Sequence, residues 1–467
     1  MRTELDDLVT GLAGSDQLVH LERIPPRPAR TASPARPLPS AIARLLPEGG
    51  LWTHQAAAID LARDAQSVAV ATGTASGKSL CYQLPIAEAV VDTPPGTALL
   101  VFPTKALAQD QLRSLGSMDV PGLVAVTYDG DTPSNDRTWA RRHANVVLTN
   151  PDMLHVGILP HHGRWSTFLA HLRFVVLDEL HTLRGIFGSH VAHLLRRLRR
   201  ICAHYGSDPT FIFGSATIGR PAELASALCG LPVAEVADDG SPRGERLFAL
   251  WNPPLTDERA GVRASSNAET AEVLTGLVSA GYRGIAFARS RKGTELVASY
   301  ARRRLPPELS SMVRPYRGGY LAAERREIET ELFEGRLAGV VATSALELGI
   351  DVGTLDACIL NGFPGTIASM WQQAGRAGRS RQRSLAVLVA GEDQLDQWLM
   401  AHPSEVFVRP PEPAVVNPAN PFVLLPHVLC AAYEKPLVPD DESFWGALGD
   451  GVFADAVREL VVDDGLR

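Results

Sequence analysis

Three short stretches carry residue types that do phosphate chemistry. The first is ATGTASGKSL at 71–80, which follows the β-rich run SVAVATG and precedes a helix-forming stretch. A glycine-punctuated turn between strand and helix presents successive backbone N–H groups to an anion, and the helix start adds the favourable end of its dipole. Lys78 would then reach β- and γ-phosphates, and Ser79 would offer its hydroxyl to Mg²⁺. Thr72 stands where the strict pattern has its first glycine, so the strand–turn–helix context carries the assignment. The second stretch is FVVLDELH at 174–181, where Asp178 is placed to hold Mg²⁺ and Glu179 to polarise an attacking water. An acidic pair ending an apolar strand is costly to bury without a cation. Together the two stretches predict a nucleoside-triphosphate hydrolase. The third is QQAGRAGR at 372–379, which offers Arg376 and Arg379 in a glycine-punctuated turn. A guanidinium delivered from outside the nucleotide loop raises phosphoryl-transfer rates by about 10³–10⁵.

The elements that must position these groups are legible as alternation. Apolar, β-rich runs at 67–73, 97–104, 123–130, 145–150, 173–179 and 210–217 are separated by helix-like stretches. Residues 231–268 break the rhythm with Pro, Gly, Asp and Ser, and mark a domain junction. The rhythm restarts with strands at 284–289, 339–344, 355–360 and 384–390. Strands alternating with helices imply βαβ units and mostly parallel sheets. The proline- and arginine-rich segment around Ile24–Pro39 reads as an arm or linker, unable to hold a helix or a central strand. Expected domains are an arm at 1–50, a nucleotide-binding lobe at 51–245, a second α/β lobe at 246–400 and the start of a helical or winged-helix domain at 401–467.

Composition bounds the rest. The 467 residues are 45% hydrophobic and 21% charged, an ordinary globular mix that excludes disordered, collagen-like and coiled-coil chains. The net charge of −7 excludes only a histone-like binder, because a local groove can be basic on an acidic protein. Five cysteines, at 81, 202, 229, 358 and 430, form no C-x-x-C pair and predict a reducing, cytoplasmic setting without zinc or disulfides. The acidic start lacks a signal-peptide core, and no apolar run is long enough to span a membrane.

With these motifs in order over residues 50–400, the chain resembles a superfamily 2 DNA helicase of the DExH type, built from two tandem RecA-like lobes. Trp52, His54 and Gln55 of LWTHQ (51–55) resemble that family's adenine-reading segment, which implies a nucleotide contact for Gln55. The loop residues Thr74, Ala75, Ser76, Gly77, Lys78, Ser79 and Leu80, with Asp351 of ATSALELGIDVG, are implied as the remaining ATP contacts. FPTKALAQDQ (102–111), LTNPDML (148–154), GSAT (214–217), FARSRKGTE (287–295) and YRGGYLAAERREIE (316–329) match the other motifs. Details such as LDELHTLRGIFGSHVAHLLRRLRRIC are similar to the MrfA/YprA and Hrq-type branch, RecQ-like in behaviour. The resemblance implies an ATP- and Mg²⁺-dependent 3′→5′ DNA helicase or translocase, linked to repair of crosslinked DNA. That branch carries a four-cysteine zinc module, whereas only Cys430 follows Cys358 here, so weak unwinding by this chain is expected.

Thr104, Lys105, Thr149, Ser290, Arg291, Thr343 and Ser344 are small polar or basic residues at strand ends, suited to the phosphates of single-stranded or tailed duplex DNA. Phe363 and Trp371 are equally candidates for base stacking and for the core. Arg196, Arg197, Arg199 and Arg200 suggest a DNA-binding patch but, spread over several helix faces, are expected on a solvated face or in ion pairs between lobes instead, and His161 and His162 in a polar loop. Two other functions stay open: an RNA helicase of the same superfamily, and a nucleotide-switched DNA-binding scaffold.

Overall fold

The apolar runs become two seven-stranded sheets in the computed structural model, which describes all residues except 1–3, 13–16, 258, 348–352, 379–381, 463–464 and 467. Two units divide the chain. One comprises Arg30–Thr72, Ser76–Gly240 and Pro413–Arg467; the other comprises Met1–Ala29, Gly73–Ala75 and Ser241–Glu412.

The sheet of the first unit is wholly parallel. Its order is Ala234–Val236, Val68–Ala71, Thr210–Ser215, Leu172–Leu177, Thr97–Val101, Val146–Thr149 and Ala125–Thr127. Helices cover the strands, so the central ones are continuous apolar runs rather than alternating patterns. Val68, Val70, Leu100, Leu148, Val176 and Ile212 are all fully or nearly fully buried in one core. Because the strands are parallel and in register, Val101 pairs with both Thr149 and Leu177, and Ala71 pairs with Ser215. Their carboxyl ends therefore share one edge, the edge on which ligands bind in open α/β sheets.

The second sheet runs Leu18–Ile24, Arg246–Trp251, Ser384–Val389, Ala357–Asn361, Gly284–Ala288, Gly339–Ala342 and Val313–Tyr316. Only Leu18–Ile24 is antiparallel, pairing with Arg246–Trp251 at the edge. Inside the stretch read as a junction, 231–268, lie Ala234–Val236 of the first sheet and Arg246–Trp251 of the second. Phe363 is buried in this unit's core and Trp371 packs against it, its ring 5.4 Å from Phe248. Both aromatics are core residues here.

After residue 413 the described chain is helical and has no strand. Leu424, Val428, Ala431, Trp445, Phe453, Ala456 and Leu460 form a small core of their own. The helix Pro421–Glu434 also lies on the helix Gly185–His204, and this overturns the solvated-face expectation for the arginine run. Arg196, Arg197 and Arg200 are fully buried. Arg196 donates to the carbonyls of Ala192, Ala227 and Leu228; Arg200 donates to those of Ala431, Lys435 and Pro436 and pairs with Asp441. Periodicity places them on several faces, and the covering helix supplies acceptors on the one that solvent would have taken. His162 is likewise no idle loop residue: its ring bonds the Tyr205 hydroxyl at 2.7 Å and the Glu434 carbonyl at 2.8 Å. Among the described residues, no helix is long and apolar enough to cross a membrane.

Candidate active site

The strand Val68–Ala71 is buried throughout and runs into the turn 72–79, which opens the helix Leu80–Val91. Ala75 and Gly77 take left-handed backbone conformations, φ 59° and 70°. At Gly77 a side chain has no room, since a Cβ would come within 2.7 Å of Gln55 Nε2 and 2.8 Å of the Trp52 ring. Ala75 adopts the same region at a cost of about 1–2 kcal/mol. Thr72, which replaces the first glycine of the strict pattern, ties the turn across itself: its hydroxyl lies 2.6 Å from that of Ser76.

Two residues before the loop in space hold its carbonyls. Gln55 accepts from the Trp52 N–H at 2.9 Å and donates to the Gly77 carbonyl at 2.9 Å, so both ends of its amide are engaged. His54 accepts from the Gly240 N–H through Nδ1 at 3.1 Å, which leaves Nε2 to donate to the Ser76 carbonyl at 3.0 Å. The ring is therefore neutral, with its tautomer fixed by the two backbone groups. Lys78 Nζ donates to the Thr72 carbonyl at 3.0 Å. Burial pushes its pKa down, opposed by the nearby carboxylates of Glu179 and Asp178.

Asp178 follows the strand Leu172–Leu177 and is 8% exposed. Its Oδ1 accepts the Glu179 N–H at 2.9 Å, and its Oδ2 lies 3.3 Å from the donating Tyr82 hydroxyl. Burial first, then the charge of Glu179, pushes its carboxyl up to about 6. Gly214 makes space for that carboxylate, because a Cβ there would collide with Oδ1. Glu179 itself sits in the left-handed region, φ 56° and ψ 43°, and its carbonyl accepts from the Thr182 hydroxyl at 2.8 Å. Left-handed backbone at a non-glycine residue persists only where its surroundings over-determine it, as at functional sites. Ser79, at the end of the loop, and the buried Asp178 carboxylate present the hard oxygen donors that Mg²⁺ takes, so the residues present fit that cation.

In the second unit, Arg376 follows the helix Ile367–Ala374 and is 6% exposed. It donates to the Glu347 carbonyl, while the Glu347 carboxylate accepts from Gln373 Nε2 at 2.9 Å and from the Ser369 hydroxyl. Glu347 thus organises the arginine turn, a role the sequence alone did not single out. Arg379 and Asp351 lie outside the described residues.

The strand-end residues divide by what their side chains do. Thr104 and Lys105 are exposed at the start of the helix Lys105–Ser117, with the Thr104 hydroxyl capping the Leu107 N–H at 3.3 Å. Lys105 pairs with Asp131 at 2.6 Å. Thr149 differs: it is buried, and its hydroxyl donates to the Tyr128 carbonyl at 2.7 Å. It shapes the edge rather than offering a side chain to a strand. In the second unit Ser290 and Arg291 are exposed, with the Ser290 hydroxyl capping the Gly293 N–H at 3.0 Å, and Thr343 and Ser344 follow the strand Gly339–Ala342. The register pairing Phe287 with Ala342 puts these four on one edge. Tyr82, Gln111 and Gly214 were not singled out by sequence, because the role of each depends on partners distant in the chain.

Known proteins match the chain along this same architecture. The DEAD/DEAH box helicase family matches residues 52–225, and the helicase conserved C-terminal domain matches 268–381. The chain is 44% identical over 452 residues to an uncharacterized ATP-dependent helicase, YprA, of Bacillus subtilis, covering 94% of this chain and 60% of that one. It is 38% identical over 439 residues to the ATP-dependent helicase HRQ1 of Saccharomyces cerevisiae, covering 91% and 41%. The crystal structure of the DUF1998 helicase MrfA bound to DNA matches with a TM-score of 0.93 and 42% identity, covering 99% of this chain and 62% of that one. MrfA bound to DNA and AMPPNP matches with a TM-score of 0.91 and 43% identity, covering 98% and 65%. The chain therefore spans 41–60% of the length of these two curated relatives.

Proposed function

The chain belongs to the superfamily 2 DEAD/DEAH box helicases, in the branch of MrfA, YprA and HRQ1, and we propose on that footing that it is an ATP-dependent DNA helicase or translocase. The carrying observation is the placement of Lys78 beside Asp178 and Glu179, on the sheet edge that also presents Thr104 and Lys105.

Gln55, the turn 74–80 and Asp351 bind ATP in this proposal. Lys78 takes the β- and γ-phosphates, whose charge offsets the desolvation of its ammonium. Ser79 and Asp178 hold Mg²⁺, which when bound screens the phosphate charge. Glu179 orients the water that attacks the γ-phosphorus, and Arg376 and Arg379 stabilise the charge that develops on the departing group. Thr104, Lys105, Ser290, Arg291, Thr343 and Ser344 grip backbone phosphates, with Thr149 shaping the edge. Alternating grip through the ATP cycle moves the protein 3′→5′ along one strand. DNA as the partner is supported by the DNA-bound structures of MrfA, and ATP by the AMPPNP complex. A role in DNA repair and a cytoplasmic location, where the five cysteines stay reduced, complete the proposal.

The test is ATP hydrolysis with and without single-stranded DNA or RNA, with strand displacement on 3′- and 5′-tailed duplexes. Hydrolysis should rise at least tenfold with DNA, fall steeply with salt, and accompany movement from 3′ tails only. Equal stimulation by RNA would make it an RNA helicase. Nucleotide-dependent DNA binding without hydrolysis would make it a scaffold.

A further inference from the structure

Behind the acidic pair lies a buried polar chain that the proposed chemistry does not use. Tyr82, 1% exposed, sits three residues after Ser79 on the helix Leu80–Val91. Its hydroxyl donates to Gln111 Oε1 at 2.8 Å and lies 3.3 Å from Asp178 Oδ2. Gln111 belongs to the helix Lys105–Ser117, the same helix whose start presents Thr104 and Lys105. Gln83 reinforces the join, donating to Gln111 Oε1 at 3.3 Å and to the Ser114 hydroxyl at 3.0 Å. Around these bonds the packing is apolar, with Leu107, Ala108 and Leu115 buried on the facing side.

We propose that Tyr82 is a positioning residue that couples the phosphate end of the nucleotide site to the DNA-facing helix, its hydroxyl shared between Asp178 and Gln111. The inference rests on the assignment of Ser79 and Asp178 to the ATP site. A tyrosine hydroxyl carries one hydrogen, and here two acceptors compete for it. The hydroxyl lies nearer the Gln111 amide oxygen, 2.8 Å against 3.3 Å, and a bare Asp178 carboxylate, the stronger acceptor, draws its hydrogen the other way. When the carboxylate's charge is shared with a bound ligand, the balance turns toward Gln111. Site occupancy thus decides how firmly the helix Lys105–Ser117 is held, because a buried polar group left unmet is costly. Packing alone needs only the ring, which phenylalanine would supply.

The experiment compares wild-type chain with Tyr82→Phe and Gln111→Leu, measuring amide hydrogen exchange of residues 105–117 with and without AMPPNP and Mg²⁺. In the wild type, nucleotide should slow this exchange at least threefold, and both variants should lose most of that difference. The ratio of DNA-stimulated to basal hydrolysis should fall at least fivefold in each. The double variant should be no worse than either single one. A merely structural role would lower both rates together and leave the ratio unchanged. Retention of both the exchange difference and the ratio in Tyr82→Phe, or no exchange difference in wild type that binds nucleotide, overturns the coupling alone. Wild type that binds no nucleotide removes the ATP-site assignment and the coupling with it.

Discussion

The Arg197 guanidinium and the Glu434 carboxylate form an ion pair in which neither side chain has any solvent exposure. Arg197 Nε lies 3.2 and 3.1 Å from the two carboxylate oxygens, and its Nη1 donates to His155 and His427, each at 3.0 Å. This pair fastens the helix Pro421–Glu434 to the helix Gly185–His204, residues 237 positions apart in the chain.

Breaking such a pair from one side leaves an uncompensated buried charge. Glu434→Ala should therefore destabilise the first unit by about 3–5 kcal/mol, measured by urea unfolding. Replacing both partners with apolar residues of similar volume should cost clearly less than Glu434→Ala alone. Equal losses would show that packing, not charge, holds the seam.

The same seam should be acid-sensitive. His193 donates to the Pro418 carbonyl at 2.8 Å and accepts from Trp445 Nε1 at 3.2 Å, so both nitrogens are committed to the neutral ring. Burial lowers His193 to about 3; burial first, then the neighbouring His193 and Arg197, lowers His427 to about 2. Unfolding lets both rings protonate near pH 6.5 while the folded state keeps them neutral, so stability present above that pH falls as acid is added. Each ring contributes a slope of about 1.4 kcal/mol per pH unit below 6.5. Unfolding at pH 7.5 and 5.5 should differ by about 2–3 kcal/mol from these two groups, and His427→Gln should flatten the slope. An unchanged slope in that variant would contradict the assignment.

At the proposed nucleotide site, Lys78→Ala and Glu179→Gln should fail differently. Losing the ammonium assigned to the phosphates should weaken ATP binding. The amide keeps the shape of Glu179 but does not orient the attacking water, so that variant should bind ATP normally and stall, with hydrolysis down by about 10²–10⁴. Wild-type turnover by Glu179→Gln would show that another group positions the water.

Gly214→Ala offers a steric test of Asp178. The added methyl occupies the space of Oδ1 and must displace the carboxylate. Hydrolysis should drop at least tenfold and Mg²⁺ dependence should shift to higher concentration, since a misplaced group of about 1 Å costs on the order of 10² in rate. Unchanged Mg²⁺ dependence would place the cation elsewhere.

The sequence by itself determined the α/β class and the strand–turn–helix context of residues 71–80, because both are written locally. Continuous apolar runs specify buried parallel strands, and a phosphate loop is a contiguous turn whose donors are neighbours in the chain. It missed Val313–Tyr316, where Pro315 argues against a central strand and is tolerated because the strand is an edge. It missed Arg246–Trp251, apolar and buried but enclosed by Pro- and Gly-rich text that signals a junction. Only tertiary structure decided the fate of the arginine run. Helical periodicity reports which residues share a face, not what covers it, and the cover here comes from a helix more than 200 positions away. Gly214, Tyr82 and Gln111 belong to the same class. Gly214 and the Tyr82 hydroxyl face Asp178, and Gln111 faces that hydroxyl in turn, across distances that no spacing along the chain encodes.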